Sequence, residues 1–380
     1  MYKKKVSLLI VAVLLLSMVL TGCNADTLGF VNYLEEMQTV ATSKAIQTVS
    51  TISIGDVKVP ADMFSAEETA LMTTVNTYLK DNYITITQKS DTKKNVSFIS
   101  FDLVEKKNNK KENLATLKYK DEAFAISISP KFNELYPGIT VVAAPFNNKL
   151  IPLSTIKEVF ADAPLALNAL SDPKSLEGVQ EKSSAFLKEL TAIYKDADTN
   201  LITKEGNAFV LQVETEDLVK LANTFVTIGI KNFDKIIDTT ITFMDSLTDE
   251  EFNAMYATTF PEGKKQIVDL LKEAKLEFAK EGMADEILAS WNAGYAEGAD
   301  MVSTMLAGSS LRMRTWKENN KYYTNLYNVI KVSDPTNSSV MFNATILVKE
   351  ETQVLADGFD VTMPTEEISK ELLEALVNEI

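Results

Sequence analysis

The chain has 380 residues, a formal charge of −15 at pH 7 and 46% hydrophobic residues. So acidic a surface disfavours nucleic acid and anionic lipid as partners, and only two arginines are present for bidentate binding of phosphate. The sequence has no histidine and one cysteine, which excludes serine–histidine–acid triads, cysteine–histidine pairs, histidine-ligated metals and an intramolecular disulfide. We therefore expect no metal, no cofactor and no nucleic-acid partner, and only carboxylate, lysine or tyrosine chemistry remains open.

The first 22 residues are typical of a secretory signal segment. Lysines at positions 3–5 precede an apolar run of 15 residues that ends at Leu20, and a membrane-spanning helix needs about 20. Thr21 and Gly22 then lead into Cys23, the single cysteine of the chain. This tetrad resembles the lipobox of Gram-positive-type bacterial envelope lipoproteins.

The lipobox resemblance implies that Cys23 becomes acylated, with palmitate as a typical chain, after the signal peptide at 1–22 is removed. Residues 23–29 would then form the lipidated cysteine and a short tether. The lipid would hold the protein on the extracytoplasmic face of the cell membrane. The mature chain would have a formal charge of −18, because the removed segment contains three lysines and no acidic residue.

Residues 30–152 are predicted to form an N-terminal α+β half. Apolar residues at spacings of three and four over 30–41 predict an amphipathic helix, and the alternating pattern over 44–54 predicts a strand. Ser65 and Glu68 form a capping box before a second helix. The period then changes to two, which predicts an antiparallel meander with strands at 83–89, 96–104, 114–119 and 123–129.

Residues 153–205 are predicted to be a helical connector, and residues 206–380 to be a C-terminal α+β half. In this half we expect a strand at 207–213, one uninterrupted helix from 216 to 247 and a further helix from 261 to 305. The last predicted elements are four strands and a terminal helix, at 311–317, 322–332, 340–349, 359–363 and from 364 onward.

Two motifs have both a chemical and a structural interpretation. Ser154 and Lys157 have the spacing of the acylated serine and its lysine in penicillin-recognising enzymes, but the companion motifs are missing and a serine N-cap explains Ser154. Asp196, Asp198 and Asn200 resemble the start of a calcium loop, although leucine stands where such a loop needs glycine. Both motifs are better explained by local structure than by chemistry.

Adjacent acidic residues and neighbouring aromatic residues also have two interpretations. The acid pairs at 67–68, 250–251 and 366–367 fall in the first turns of predicted helices, where carboxylates bind free backbone amides. Helix capping therefore explains these pairs, and no glycosidase active site is needed to account for them. Trp316, Tyr322, Tyr323 and Tyr327 lie on neighbouring predicted strands. Cross-strand packing is the favoured interpretation of these aromatic residues, and a ligand site is the alternative.

The order of elements resembles that of LolA-like and LppX-like envelope lipoproteins. An amphipathic helix, a strand and a second helix precede a meander whose last strands read LATLKYKDEAFAISISPKF, and the resemblance covers 30–142 and again 311–380. It implies an antiparallel sheet curved into a half-barrel, with helices over its concave side and an apolar cavity for acyl chains between the two layers.

The predicted fold class is therefore α+β, with antiparallel sheet segments covered by long helices. The apolar surface of the long helix at 216–247 is too broad to be covered on one side only, so Phe225, Phe233, Ile237 and Met244 are candidates for lining a ligand cavity. We expect a non-catalytic, lipid-anchored binding protein whose partner is a lipophilic small molecule or an envelope protein. Two alternatives stay open: a structural or protein-interaction lipoprotein with a filled core, and a carboxylate-dependent hydrolase.

The lipid anchor can be tested by Cys23→Ala. Without the thiol no acyl chain can be attached, so the protein should move from the membrane fraction to the medium or remain unprocessed. Fractionation and intact mass measure both outcomes. A correctly processed Cys23→Ala protein that stays in the membrane fraction would contradict the anchor.

Overall fold

The computed structural model describes residues 25–58, 73, 76–135, 147–159, 173–194, 201–256 and 263–379. These residues form an α+β fold with a large antiparallel sheet, as predicted. The lipobox, the capping box of Ser65 and Glu68, and the acidic loop at 196–200 lie outside the described residues.

The helices and strands of the described residues are labelled in chain order. The helices are α1 (Ala25–Ser43), α2 (Pro130–Leu135), α3 (Leu153–Val159), α4 (Pro173–Ile193), α5 (Thr215–Lys231), α6 (Phe233–Ser246), α7 (Asp249–Tyr256), α8 (Lys264–Phe278), α9 (Met283–Met305) and α10 (Lys370–Glu379). The strands are β1 (Ile46–Lys58), β2 (Asn82–Asp91), β3 (Val96–Glu105), β4 (Lys111–Lys120), β5 (Ala123–Ile128), β6 (Lys149–Pro152), β7 (Ile202–Glu205), β8 (Ala208–Glu214), β9 (Ser310–Glu318), β10 (Lys321–Ser333) and β11 (Val340–Val354).

Nine of the strands follow one another in the order β6-β5-β4-β3-β2-β1-β11-β10-β9. The predicted meander is confirmed, because β2 to β5 pair in sequence and antiparallel. β1 pairs antiparallel with β11, from Ile46 opposite Val354 to Lys58 opposite Asn343. The strands β1 to β6 and the strands β9 to β11, from opposite ends of the chain, therefore belong to one continuous sheet. Asn319 and Asn320 both have positive φ, as expected for a two-residue hairpin turn.

The chain divides into two compact units that interleave in sequence. The sheet unit comprises the described residues within 35–163, 312–330 and 341–379, and the helical unit comprises those within 25–34, 173–311 and 331–340. This division differs from the predicted boundaries at 152 and 205. The reason is that β11, from the end of the chain, completes a ladder begun by β1 near its start.

The prediction of one uninterrupted helix at 216–247 is wrong, because this segment forms two helices, α5 and α6, that are separated at Asn232. Asn232 has φ −117° and ψ 23°, outside the helical range. Its backbone amide and its side-chain amide both donate to the carbonyl of Ile228, at 2.9 and 3.0 Å. This capping ends α5. The two helices then pack differently: α5 contacts α9 and β8, whereas α6 packs between α4 and α8.

The helix predicted from 261 to 305 is also divided. α8 ends at Phe278 and α9 begins at Met283. Gly282 between them has φ 79°, a left-handed conformation that residues with a Cβ rarely adopt. The apolar spacing continues across this break, so the pattern alone gives no sign of it.

The predictions for the last 22 residues need two corrections. The strand predicted at 359–363 does not form, because its polar groups bind side chains of the sheet: the Phe359 amide donates to Asp91 (3.3 Å), and Lys118 donates to the Thr362 carbonyl (2.9 Å). The terminal helix begins at Lys370, not at 364, and the Ser369 hydroxyl accepts from the Leu372 amide (3.2 Å). The acid pair at 366–367 therefore lies beside β6 and outside the helix.

The predicted capping role of the acid pair at 250–251 is confirmed at α7. The Glu251 carboxylate accepts from the Thr248 amide at 2.6 Å, and the Thr248 hydroxyl accepts from the Glu251 amide at 3.1 Å. Lys182 of α4 donates to the same carboxylate at 2.6 Å. Burial by itself raises the pKa of Glu251, but the hydrogen bonds from Lys182 and the Thr248 amide outweigh it and hold the pKa below its ordinary value.

Glu251→Gln should destabilise the protein by about 1–2 kcal/mol at pH 7, because it weakens the cap and removes the ion pair with Lys182. A lowered native pKa stabilises the fold above the unfolded-state pKa of about 4.3, and this stabilisation is lost as the pH falls through the native pKa. The difference between parent and variant should therefore shrink at acid pH. Urea unfolding at both pH values measures it, with exposed Glu250→Gln as the matched control; an equal difference at both pH values would contradict this account.

Candidate ligand-binding groove

The four residues predicted to line a ligand cavity lie in packed surroundings of the helical unit. Phe225 of α5 is fully buried and its ring lies 5.4 Å from that of Tyr194. Ile237 and Met244 of α6 belong to a buried cluster with residues of α4, α7 and α8. Phe233 packs against this cluster and stacks on Phe278, with ring centroids 4.0 Å apart. At these positions side chains of the chain itself occupy the apolar space.

A groove of about 900 Å³ lies elsewhere in the helical unit, between α5 and α9. None of the four predicted residues is in its lining. Its walls are mainly apolar and aromatic side chains, including Val219 and Ala222 of α5 and Met283, Ile287, Trp291, Tyr295 and Val302 of α9. A volume of this size is within the usual range of small-molecule sites, about 300–1,000 Å³.

The groove exists because α9 is poorly covered. None of its 23 residues is buried, and Ile287 and Met301 are 38% and 55% exposed. Gly294 and Gly298 lie in the groove one helical turn apart, and a Cβ added to either would meet no atom within 4 Å. Glycine inside a helix costs about 0.5–1 kcal/mol relative to alanine. These two glycines therefore widen the groove at a cost in helix stability.

Trp291 is held in place at the middle of the groove. Its indole N–H donates to the Asn223 side chain of α5 at 2.8 Å, and its ring stacks on that of Tyr295 at 6.4 Å. The hydrogen bond satisfies the polar edge of the indole, so the apolar face of the ring can contact a ligand. The sequence prediction of this site missed Trp291. A usable signal was present, since residues 283, 287, 291, 294, 298 and 302 follow one another at spacings of three and four.

The charge around the groove is negative. α9 has four acidic residues and no basic residue, whereas α5 has two acidic and two basic residues and adds no net charge. Glu286 is the charged residue in the groove lining, and it is exposed. Because a single carboxylate is present, the groove does not contain the facing pair that carboxylate-dependent glycoside hydrolysis requires.

The sheet unit presents a second apolar surface. The strand registers place Val348, Ile52, Ile84 and Leu103 in one row across β11, β1, β2 and β3. A neighbouring row on the same face contains Ile86, Phe101, Ala115 and Ile128. None of these eight side chains is fully buried, and Phe101 is 37% exposed.

The opposite face of β2 and β3 carries polar side chains that are more deeply buried. Thr85 pairs with Asp102 and Thr87 with Ser100, and Asp102 is 2% exposed. Ser100, Asn113 and Lys111 supply hydrogen bonds or an ion pair to the Asp102 carboxylate at 2.9–3.0 Å. The apolar rows are less buried than these polar side chains, which is the reverse of the usual order.

The aromatic residues of β9 and β10 favour cross-strand packing over a ligand site. Trp316 stacks on Tyr323 with ring centroids 5.0 Å apart. Tyr322 is buried and donates from its hydroxyl to Glu36 of α1 at 2.9 Å. The hydrogen bonds from Lys317 and Tyr322 lower the pKa of Glu36. Only Tyr327 of the four is largely exposed.

Comparisons with protein-family models, with curated proteins and with solved structures find no match for this chain. Among the residues whose structure is described, no helix combines the length and the apolar character needed to cross a membrane.

Phe225→Ala should destabilise the protein by about 3–5 kcal/mol, because it removes a fully buried ring and leaves a cavity. It should leave binding of a hydrophobic dye in the groove unchanged under folding conditions. Urea unfolding and dye titration measure the two effects, and Leu276→Ala, at a position that is 72% exposed, should change the stability by less than about 0.5 kcal/mol. A small stability loss together with weaker dye binding would restore Phe225 as a cavity residue.

Proposed function

We propose that this protein is a non-catalytic, lipid-anchored envelope lipoprotein that binds a hydrophobic small molecule in the groove between α5 and α9. The observation that carries the proposal is a ligand-sized groove with an apolar, aromatic lining and an oriented tryptophan. Export and lipidation are proposed from the tetrad that ends at Cys23. A protein lipidated there would have the groove on the extracytoplasmic side of the cell membrane.

The apolar face of the sheet gives the proposal independent support. Incompletely buried apolar side chains on six neighbouring strands are suited to contact with lipid chains. The half-barrel curvature expected from the LolA-like and LppX-like resemblance is part of this proposal. In such an arrangement, the apolar face would be the concave one.

A structural or protein-interaction lipoprotein is the second candidate function. The specific observation in its favour is the packed core around Phe225, Ile237 and Met244, which fills the space that a large internal cavity would need. This candidate requires a protein surface as the partner of α9. It predicts no retained small molecule.

Mass spectrometry of organic extracts from the purified mature chain tests the proposal, with Cys23→Ala removing the protein's own acyl group. A stoichiometric lipophilic molecule should be found in the extract, and Nile red should bind to the protein from which this molecule has been removed. If the extract contains no lipophilic molecule and the protein binds no dye, the proposal is contradicted and the structural candidate is favoured.

A variant series locates the site. Gly298→Phe should abolish dye binding, since the new ring enters open space in the groove. Gly298→Ala should keep dye binding and raise the stability by about 0.5–1 kcal/mol. Ala296→Phe adds the same ring at an exposed position of α9 outside the groove lining, and should leave binding unchanged. Equal loss of dye binding in the two phenylalanine variants would place the site elsewhere.

A further inference from the structure

We infer that the groove between α5 and α9 selects an amphiphile with one extended apolar chain and a cationic head group, and that Glu286 receives the head group. This inference rests on the proposed function and adds the chemical class of the ligand. Three features of the groove support it: its length along α9, the negative charge of α9, and the presence of both Glu286 and Trp291 in the lining.

The dimensions of the groove fit a single chain. Its lining includes a residue from every turn of α9 between Met283 and Leu306, which at 1.5 Å per residue is about 35 Å of helix. The groove volume of about 900 Å³ lies along that length. A single extended hydrocarbon chain can lie along the groove, with its surface against the apolar lining.

The charge of the walls decides which head group is accepted. The four acidic residues of α9, at 285, 286, 297 and 300, have no lysine or arginine beside them on that helix. An anionic head group would be repelled by Glu286 in the lining, by the net negative charge of α9 and by the chain as a whole at −15. A cationic head group is attracted, and the attraction weakens as salt screens it.

Glu286 and Trp291 provide a recognition site for that cation. Glu286 lies five residues before Trp291 on α9, a rise of about 7.5 Å, and both line the groove. The Trp291 and Tyr295 rings are stacked, with centroids 6.4 Å apart. An ammonium group placed over an aromatic face gains cation–π attraction in addition to the attraction of the carboxylate. The head group therefore sits toward the Met283 end, and the chain extends along Gly294 and Gly298 toward Val302.

Chain-matched probes test the inference on the mature chain with Cys23→Ala. Below their micellar concentrations, dodecyltrimethylammonium should displace Nile red at least about tenfold better than dodecyl sulfate. It should also bind at least about tenfold better than didodecyldimethylammonium, which has a related head group and two chains. Raising the ionic strength should reduce the preference for the cation.

Paired variants assign the selectivity to Glu286. Glu286→Gln should reduce the preference for dodecyltrimethylammonium over dodecyl sulfate to within about threefold while Nile red still binds. Glu297→Gln removes the same charge from α9 outside the groove lining, and should leave most of the preference in place. Trp291→Phe should weaken the binding of dodecyltrimethylammonium more than the binding of dodecyl sulfate.

Three results would overturn the inference. If the ammonium and sulfate probes bind equally well and the protein still binds Nile red, the head-group assignment is wrong and the proposed function stands. Equal effects of Glu286→Gln and Glu297→Gln would show general electrostatics with no assigned carboxylate. Failure of every probe and of Nile red, with concentration-dependent dimers that Gly298→Phe disrupts, would overturn both the inference and the proposed function and identify a second copy as the occupant.

Discussion

The pairing of β1 with β11 is the constraint on which the rest of the structure depends. This ladder joins residues about 300 positions apart in sequence, and side chains reinforce it: the Thr48 and Thr352 hydroxyls bond at 2.9 Å and Ser50 donates to Glu350 at 3.0 Å. It merges an N-terminal meander and a C-terminal set of strands into one sheet. Closing so long a loop costs conformational entropy, and the continuous backbone ladder offsets that cost.

The long insertion between these strands supplies the helical unit, and its two parts have different chemistry. Around α6, the side chains of α4, α7 and α8 fill the interior and leave a buried cluster. Along α9, small residues and a helix without buried side chains leave the groove open. Packing supplies stability in the first region. In the second region, a groove of about 900 Å³ leaves its apolar lining uncovered, and an apolar ligand would bury that lining.

Local polar chemistry decides several features that hydrophobic patterning alone does not. The hairpin between β3 and β4 is an example: Lys106 in its turn donates to the carbonyls of Leu79 and Lys80, and Lys111, the first residue of β4, pairs with buried Asp102. These lysines therefore bind within the fold. At α7, the cap formed by Thr248 and Glu251 follows directly from residue identity, because its partners are three residues apart.

The sequence by itself determined the fold class, the meander and the cap at Glu251, because periodicity and short-range hydrogen bonding are local properties. It also indicated the absence of histidine-based chemistry, which is a matter of composition. Only the tertiary structure decided that β1 meets β11, that Asn232 divides the long helix, and that Phe225 is core while Trp291 lines a groove. An apolar stripe records that a helix face is covered, but not whether protein or open space lies against it, since that depends on which distant element packs there.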